Sequence, residues 1–372
     1  MRKILFKKFI FVQITALILS MSCFCLPTKA VSTMRGVWVG TVGNLDFPSS
    51  QGLSYKELKS ELDGIVQTCI DLGINTVFFQ VRPGADSLYN SSVFPWSSVL
   101  SGTQGKAPDN NFDPLKYIID ACHKNSIQLH AWINPYRVCK SEILDSVSAS
   151  NPAKTNPEYT VLCSDGYVYF NPALKDVRDL VKNGVEEILK NYDVDGIHFD
   201  DYFYPYNVAD YHDADDYKKY GSKFDNIEDF RRNNVNTLVK EVYQLVHRYN
   251  SVFGISPFGI WDNMADNPEG SDTNGLSSYS DIYADSKKWI ENGWVDYICP
   301  QVYWSQRDKD APFETIVKWW DGVCENTDVD LYIGHALYKL GGGYDGFDSA
   351  DEIKKQLDIC NNYKNVKGSV FF

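Results

Sequence analysis

The sequence predicts an α/β fold of the (β/α)8, or TIM-barrel, class, and three observations predict it. Short β-branched and aromatic runs alternate with amphipathic stretches of helical period, the order that gives parallel strands joined by crossover helices. Eight strand-like runs and seven intervening helices can be counted. No low-complexity linker divides the 372 residues, and one barrel can fill such a length.

The strands are read at Met34–Gly40, Ile74–Arg82, Ile127–Pro135, Gly196–Pro205, Val252–Ile260, Val295–Trp304, Leu331–Leu340 and Val366–Phe372. Between them the helical period predicts Tyr55–Leu72, Pro114–Asn125, Leu174–Tyr192, Ile227–Tyr249, Asp281–Asn292, Phe313–Asn326 and Asp351–Tyr363. The sequence stops inside the eighth strand, without the helix that would follow it. Either the chain is truncated or the barrel closes unusually, and the expectation is exposed apolar surface with lower stability.

Residues 1–30 read as a cleavable export signal. Arg2, Lys3, Lys7 and Lys8 precede an apolar run from Phe9 to Leu26, and Thr28-Lys29-Ala30 supplies small residues for cleavage. The remainder, 31–372, is then a single barrel domain, secreted or held in the cell envelope and not inserted in the membrane. Ser20-Met21-Ser22-Cys23 is a poor lipoprotein box, and an uncleaved anchor is the other lesser alternative. Loss of this segment removes five cations and no acid, taking the formal charge from −13 to −18. Such a surface repels nucleic acid and anionic membrane. The seven remaining cysteines make no CxxC pair and are scattered, which argues against a disulfide framework or a zinc site and for small buried apolar residues.

Hydrophobic residues at 44% and charged residues at 23% exclude disorder, collagen and coiled coil. The 14% aromatic share suits sugar-stacking surfaces as well as cores. In a barrel of this class, chemistry lies at the C-terminal ends of the strands. Those ends carry Asn44 and Asp46; Gln80, Arg82 and Asp86; Trp132, Asn134, Tyr136 and Arg137; and His198, Asp200, Asp201, Tyr202 and Tyr204. Further round they carry Ser256, Trp261, Asp262 and Asn263; Gln301, Tyr303 and Trp304; and His335, Tyr338 and Lys339. Asp195 and Asp296 lie at the opposite ends and are discounted.

The most informative segment is Asp195-Gly-Ile-His-Phe-Asp-Asp-Tyr-Phe-Tyr-Pro205, a strand ending in paired carboxylates among aromatic rings. Glycoside cleavage needs a protonated carboxyl for the leaving oxygen and an ionised partner, and apolar surroundings raise the affinity of the first for its proton. Strand alternation predicts that His198 and Asp200 point one way and Asp201 the other, so one acid faces the mouth and its neighbour braces a loop. A lone pair of Asp residues would more often cap a turn, but the His, the aromatics and the strand position together favour chemistry. For the second acid the candidates are Asp262 and Asp86, with Asp46 third. No acid ends strands six or seven, which rules out the common arrangement of Glu on strands four and seven. A substrate-assisted route, needing one strong acid and an orienting partner, stays open.

His130, His198 and His335 with Asp200 are too dispersed for a metal site; none is expected, and hydrogen bonding to sugar or to the catalytic carboxylate is the better reading. Arg82 and Arg137 suit a bidentate carboxylate of a lactyl or uronic substituent, against an even alternative of ion pairs with Asp86 or Asp200. Trp96, Trp132, Trp261 and Trp304 are candidate stacking rings. No phosphate-binding loop, dinucleotide fingerprint or serine nucleophile elbow occurs, so no cofactor is expected. Gly341-Gly-Gly343 is a weak signal of a lid or anion nest.

Six stretches together resemble the glycosyl-hydrolase-like family 10 of bacterial cell-envelope barrels. They are Arg35-Gly-Val-Trp-Val, Asn75-Thr-Val-Phe-Phe-Gln-Val-Arg-Pro-Gly-Ala-Asp86, His130-Ala-Trp-Ile-Asn-Pro-Tyr-Arg137, Asp195-Gly-Ile-His-Phe-Asp-Asp-Tyr202, Phe253-Gly-Ile-Ser-Pro-Phe-Gly-Ile-Trp-Asp-Asn263 and Tyr297-Ile-Cys-Pro-Gln-Val-Tyr-Trp304. The resemblance implies a glycosidase acting at the barrel mouth on an N-acetylated cell-wall glycan, peptidoglycan strands freed of their peptides. On this reading Asp200 or Asp201 is the principal acid and Asp262 or Asp86 its partner. His198, Gln301 and Tyr303 orient substrate, Arg82 and Arg137 hold its acidic substituent, and Trp132, Asn134, Tyr136, Tyr202, Trp261, Asn263, Trp304 and His335 complete the binding surface. The competing readings are a glycosidase of another polysaccharide and a non-catalytic glycan-binding barrel.

Overall fold

Eight parallel strands close a barrel in the computed structural model, which describes residues 33–206, 211 and 213–372. The segment 1–30 read as an export signal lies outside the described residues. In chain order the strands are β1 (Met34–Val39), β2 (Thr76–Arg82), β3 (Gln128–Ile133), β4 (Arg137–Lys140), β5 (Thr160–Leu162), β6 (Tyr167–Phe170), β7 (Gly196–Phe199), β8 (Val252–Ile255), β9 (Tyr297–Ile298), β10 (Asp330–His335) and β11 (Val366–Phe371). The barrel order is β1-β11-β10-β9-β8-β7-β3-β2, while β4, β6 and β5 form a separate antiparallel sheet. Met34–Phe372 is one compact unit. Among the described residues no helix is long and apolar enough to cross a membrane.

The principal helices form where the sequence period places them, at Tyr55–Asp71, Pro114–His123, Lys175–Asn191, Ile227–His247, Ser286–Glu291, Phe313–Val323 and Asp351–Cys360. Their starts are chemically marked. Ser54 and Glu57 make a reciprocal capping box, and the Asp113 side chain accepts from Lys116 N just before Pro114. The helix predicted from Asp281 begins only at Ser286, because Asp281 instead accepts from Ser277 N at 2.7 Å and Asp285 provides the cap.

The discounted acids are structural. Asp195 Oδ2 accepts from Leu129 N at 2.7 Å and faces His123 at 2.9 Å; Asp296 repeats this with Phe253 N at 2.7 Å and His247 at 2.9 Å. Each satisfies an amide at the N-terminal rim of the neighbouring strand.

Two apolar layers result. Leu, Ile, Val and Phe side chains fill the space between strands and helices. The barrel interior instead holds Met34, Trp38, Phe78, Trp132, Tyr297, Cys299, Tyr332 and Val370. Rings this large fit because neighbouring strands present glycine: a Cβ on Gly254 would lie 2.0 Å from the Tyr297 ring. Cys69, Cys122, Cys163, Cys299, Cys324 and Cys360 are buried, and Cys139 is half-buried.

Three local features depart from the sequence reading. Strand β7 ends at Phe199 rather than Pro205, and β9 is two residues long because Pro300 interrupts pairing. The small sheet β4–β6 is absent from the predicted order. Its β5–β6 hairpin turns at Gly166, whose φ of +82° favours glycine. Strand β11 is paired on both sides, by β1 and β10, so the barrel closes, with Val370 in its interior.

Candidate active site

A cleft of about 450 Å³ opens at the C-terminal ends of the barrel strands. Its floor and walls are Trp38, Val42, Gln80, Trp132, Arg137, Asp200, Asp201, Tyr202, Tyr206, Ser256, Phe258, Gln301, Tyr303, Trp304, Tyr338, Lys339 and Phe372. Phe372 sits at the centre of its aromatic wall, stacked on Tyr303 at 6.4 Å and edge-on to Trp38, Trp132 and Tyr338 at 6.3, 6.4 and 5.8 Å. Phe372 and Tyr303, 13° from parallel, therefore give one side of the cleft an apolar ring surface on which a sugar can stack.

Both members of the Asp pair line this cleft, where strand alternation had sent one of them elsewhere. The reason is that β7 terminates at Phe199, and the backbone turns immediately, with Phe203 N bonded to Asp201 O at 3.0 Å. Alternation holds only while the strand lasts.

Asp200 is 4% exposed. Its Oδ2 accepts from Trp132 Nε1 at 3.0 Å and Asn134 Nδ2 at 3.2 Å, and Oδ1 from Tyr202 N at 3.2 Å. Burial, reinforced by the negative charge of Asp201, nevertheless pushes its carboxyl up to about 7, while Arg137 and the N–H donors pull the other way. Asp201 is also raised by burial, moderated by Tyr206, whose hydroxyl donates to Oδ2, and by Gln301. The pair therefore shares a proton near neutrality, with Asp200 the member that retains it.

The surroundings fix this geometry. Asn134 Oδ1 accepts from Arg137 N at 2.9 Å, and β4 begins at that residue, so the small sheet anchors Arg137 in the wall. Its guanidinium lies 4.2 Å over the Tyr202 ring. Gln301 Nε2 donates to Ser256 O at 2.9 Å. Beneath the floor, Tyr297 OH bonds His130 Nδ1 at 2.9 Å and His198 Nδ1 at 3.0 Å, while His198 Nε2 meets Trp38 Nε1 and Ser256 Oγ at 3.1 and 3.0 Å. Burial lowers His130 to about 4 and holds His198 well below the usual histidine range, so both stay neutral supports rather than substrate ligands.

Of the predicted binding residues, Trp132, Arg137, Tyr202, Gln301, Tyr303 and Trp304 line the cleft. Asn134 reaches it only through Asp200. Both proposed partner acids are displaced. Asp262 accepts from Asn263 N, Ser277 Oγ and Ser280 Oγ on Oδ1 and from Asn267 Nδ2 on Oδ2, all at 3.1 Å, bracing its own loop. Asp86 is buried against Gln104 Nε2 at 3.1 Å, and Asp46 accepts from Gly40 N at 2.7 Å.

Others lie outside the cleft for equally local reasons. Arg82 is wholly buried, 3.8 Å over the Phe94 ring, and among the described residues its guanidinium has no hydrogen-bond partner and no ion pair, so it does not form a substrate clamp. Trp261 stacks on Trp319 at 5.4 Å, and Asn263 bonds Gly275 O at 2.7 Å. His335 is held by Gln356 at 2.9 Å and Ser369 at 3.0 Å, and Tyr136 is fully buried. Sequence reasoning missed Trp38, Val42, Tyr206, Phe258 and Phe372. Trp38 and Phe258 carried a signal, as parts of the Arg35–Val39 and Phe253–Asn263 stretches. Tyr206 lies one residue past the strand predicted to end at Pro205, where a strand-end rule stops looking.

Comparison with known proteins follows the same lines. The family model described as glycosyl hydrolase-like 10 matches residues 33–348. Glycosyl hydrolase YngK of Bacillus subtilis strain 168 is 40% identical over 357 residues, which cover 94% of this chain and 69% of YngK. Glycosyl hydrolase DigH of Escherichia coli strain K12 is 36% identical over 372 residues, covering 91% of this chain and 82% of DigH. Among solved structures, the PgaB (BpsB) glycoside hydrolase domain from Bordetella bronchiseptica superposes with a TM-score of 0.59 at 11% identity, covering 91% of this chain and 94% of that one. At such low identity that likeness concerns the fold alone.

Proposed function

The chain belongs to the glycosyl hydrolase-like 10 family, and from that premise we propose that this glycoside hydrolase cleaves an N-acetylated cell-wall glycan, peptidoglycan strands freed of their peptides. We place that activity outside the cytoplasm, on the strength of the basic, apolar and small-residue pattern of residues 1–30. The observation that carries the reading is the buried Asp200–Asp201 pair opening into a ring-lined cleft.

The pair also favours one mechanism. Glycosidases that use two protein carboxylates set them on opposite sides of the bond, about 5–5.5 Å apart for retention and about 6.5–9.5 Å for inversion. Here the carboxylates lining the cleft, among the described residues, are consecutive and leave from one strand end. Adjacent carboxyls suit substrate-assisted cleavage. Asp200, protonated near neutrality, donates its proton to the glycosidic oxygen as that bond breaks. The carbonyl oxygen of the sugar's own acetamido group forms the new bond to the anomeric carbon. Ionised Asp201 accepts from the acetamido N–H and offsets the positive charge of the cyclic intermediate. Water then opens the ring, losing its proton to Asp200. This route requires an N-acetyl group beside the scissile bond, which is why the substrate class is drawn this way.

The test is mass spectrometry of products from purified, peptide-free glycan strands. New reducing ends on N-acetylated sugars are expected from the parent and not from an Asp200→Asn, Asp201→Asn double variant. Cleavage confined to glycans lacking acetamido groups would overturn the reading.

A further inference from the structure

Among the described residues two cations, Arg137 and Lys339, line the cleft, and they differ in what surrounds them. Arg137 faces the Asp pair, whose charges it offsets. Lys339 makes no ion pair among the described residues. Its Nζ donates to Tyr303 O at 2.6 Å, leaving two N–H groups, and lies 5.4–5.9 Å from the rings of Tyr338, Tyr344 and Phe347. The nearest carboxylate influence on it comes from Asp308, yet partial burial is the larger effect and lowers its proton affinity. A half-buried ammonium without a counter-charge is unfavourable. It stands out further in a chain with 49 acidic and 36 basic residues.

The topology places these cations apart. Arg137 follows β3, and Lys339 follows β10; in the closed order β10 is four strands from β3 in either direction. Lys339 therefore stands across the mouth from Arg137, beside the Phe372–Tyr303 platform. Gly341 and Gly343, at φ +68° and +79°, turn the chain sharply behind it.

We propose that Lys339 is a specificity residue of this same cleft, binding the carboxylate of an acidic sugar stacked on the Phe372–Tyr303 platform and so fixing which linkage of an alternating glycan reaches Asp200 and Asp201. The inference rests on the glycosidase reading and deepens it by fixing where the carboxylate of that glycan sits relative to the cut bond. Arg82, the cation that the sequence had offered beside Arg137, is sealed in the core; Lys339 takes its place.

The experiment pairs two oligosaccharides that differ only in reduction of the carboxylate to an alcohol. Binding is measured calorimetrically in the Asp200→Asn background at low and high salt, and turnover in the active enzyme. A charge-assisted hydrogen bond gives about a tenfold preference for the acidic probe, weakened by salt. Lys339→Met is expected to erase that preference while leaving affinity for the reduced probe within about twofold, and Lys339→Arg to keep most of it. Equal binding of the two probes by the Asp200→Asn protein, no binding of either, or an undiminished preference with Lys339→Met in that background would each overturn the proposal. A preference that vanishes with Lys339→Met but leads to no product would uphold this subsite and sink the glycosidase reading instead.

Discussion

Asp200 and Asp201 have separable roles, and a leaving group can tell them apart. On natural glycan, Asp200→Asn and Asp201→Asn should each lower turnover by at least about a hundredfold, the scale of general acid catalysis. On an aryl glycoside of N-acetylglucosamine whose leaving group needs no proton, Asp200→Asn should recover most of its kcat/KM, which reports the bond-breaking step alone, and Asp201→Asn should not. Rescue of the second variant instead would exchange the roles. Tyr206→Phe removes a donor that holds the Asp201 carboxyl down. The acidic limb of its pH–rate profile should therefore move to higher pH, while fixed limbs would show that this hydroxyl has no part in the ionisation. The residue scale is also where the sequence was least legible. Asp262, Asp86 and Arg82 sit at the predicted height, but height on a strand does not give direction. Asp262 turns to its own loop's hydroxyls and Arg82 to Phe94, contacts that only the tertiary fold supplies.

At the scale of elements, the period of the apolar pattern located all eight barrel strands, because each must bury one face against helices and the other in the interior. Strand ends were less accessible. Parity predicts facing only while pairing persists, and β7 loses it one residue before the acids. The β4–β6 sheet escaped notice because its strands are three or four residues long. The fit of glycine to ring inside the barrel makes a quantitative prediction. Gly254→Ala should force the Tyr297 ring aside and destabilise the fold by about 1–3 kcal/mol, read by denaturant unfolding. Since Tyr297 also holds His198, activity should fall with stability; an unchanged midpoint would mean that the strands slide apart without strain.

For the whole molecule, the raised Asp200 carboxyl links catalysis to folding. The folded state holds that proton up to about pH 7, whereas an unfolded chain releases it near 4. The folded state thus binds more protons between those values, so this group's contribution to stability is full below about 4 and is lost as pH rises through about 7. Asn cannot ionise. The melting temperature of Asp200→Asn relative to the parent should therefore climb from about pH 4 to about 7 and then level off, by at most about 1.4 kcal/mol of stability per unit; parallel curves would remove the case for a retained proton. A practical corollary attaches to Phe372, whose carbonyl is tied to Tyr338 N at 3.1 Å while its ring paves the entrance. Any affinity tag or fused module spliced after that position would leave the barrel at its doorway and hang over the path of an incoming polymer.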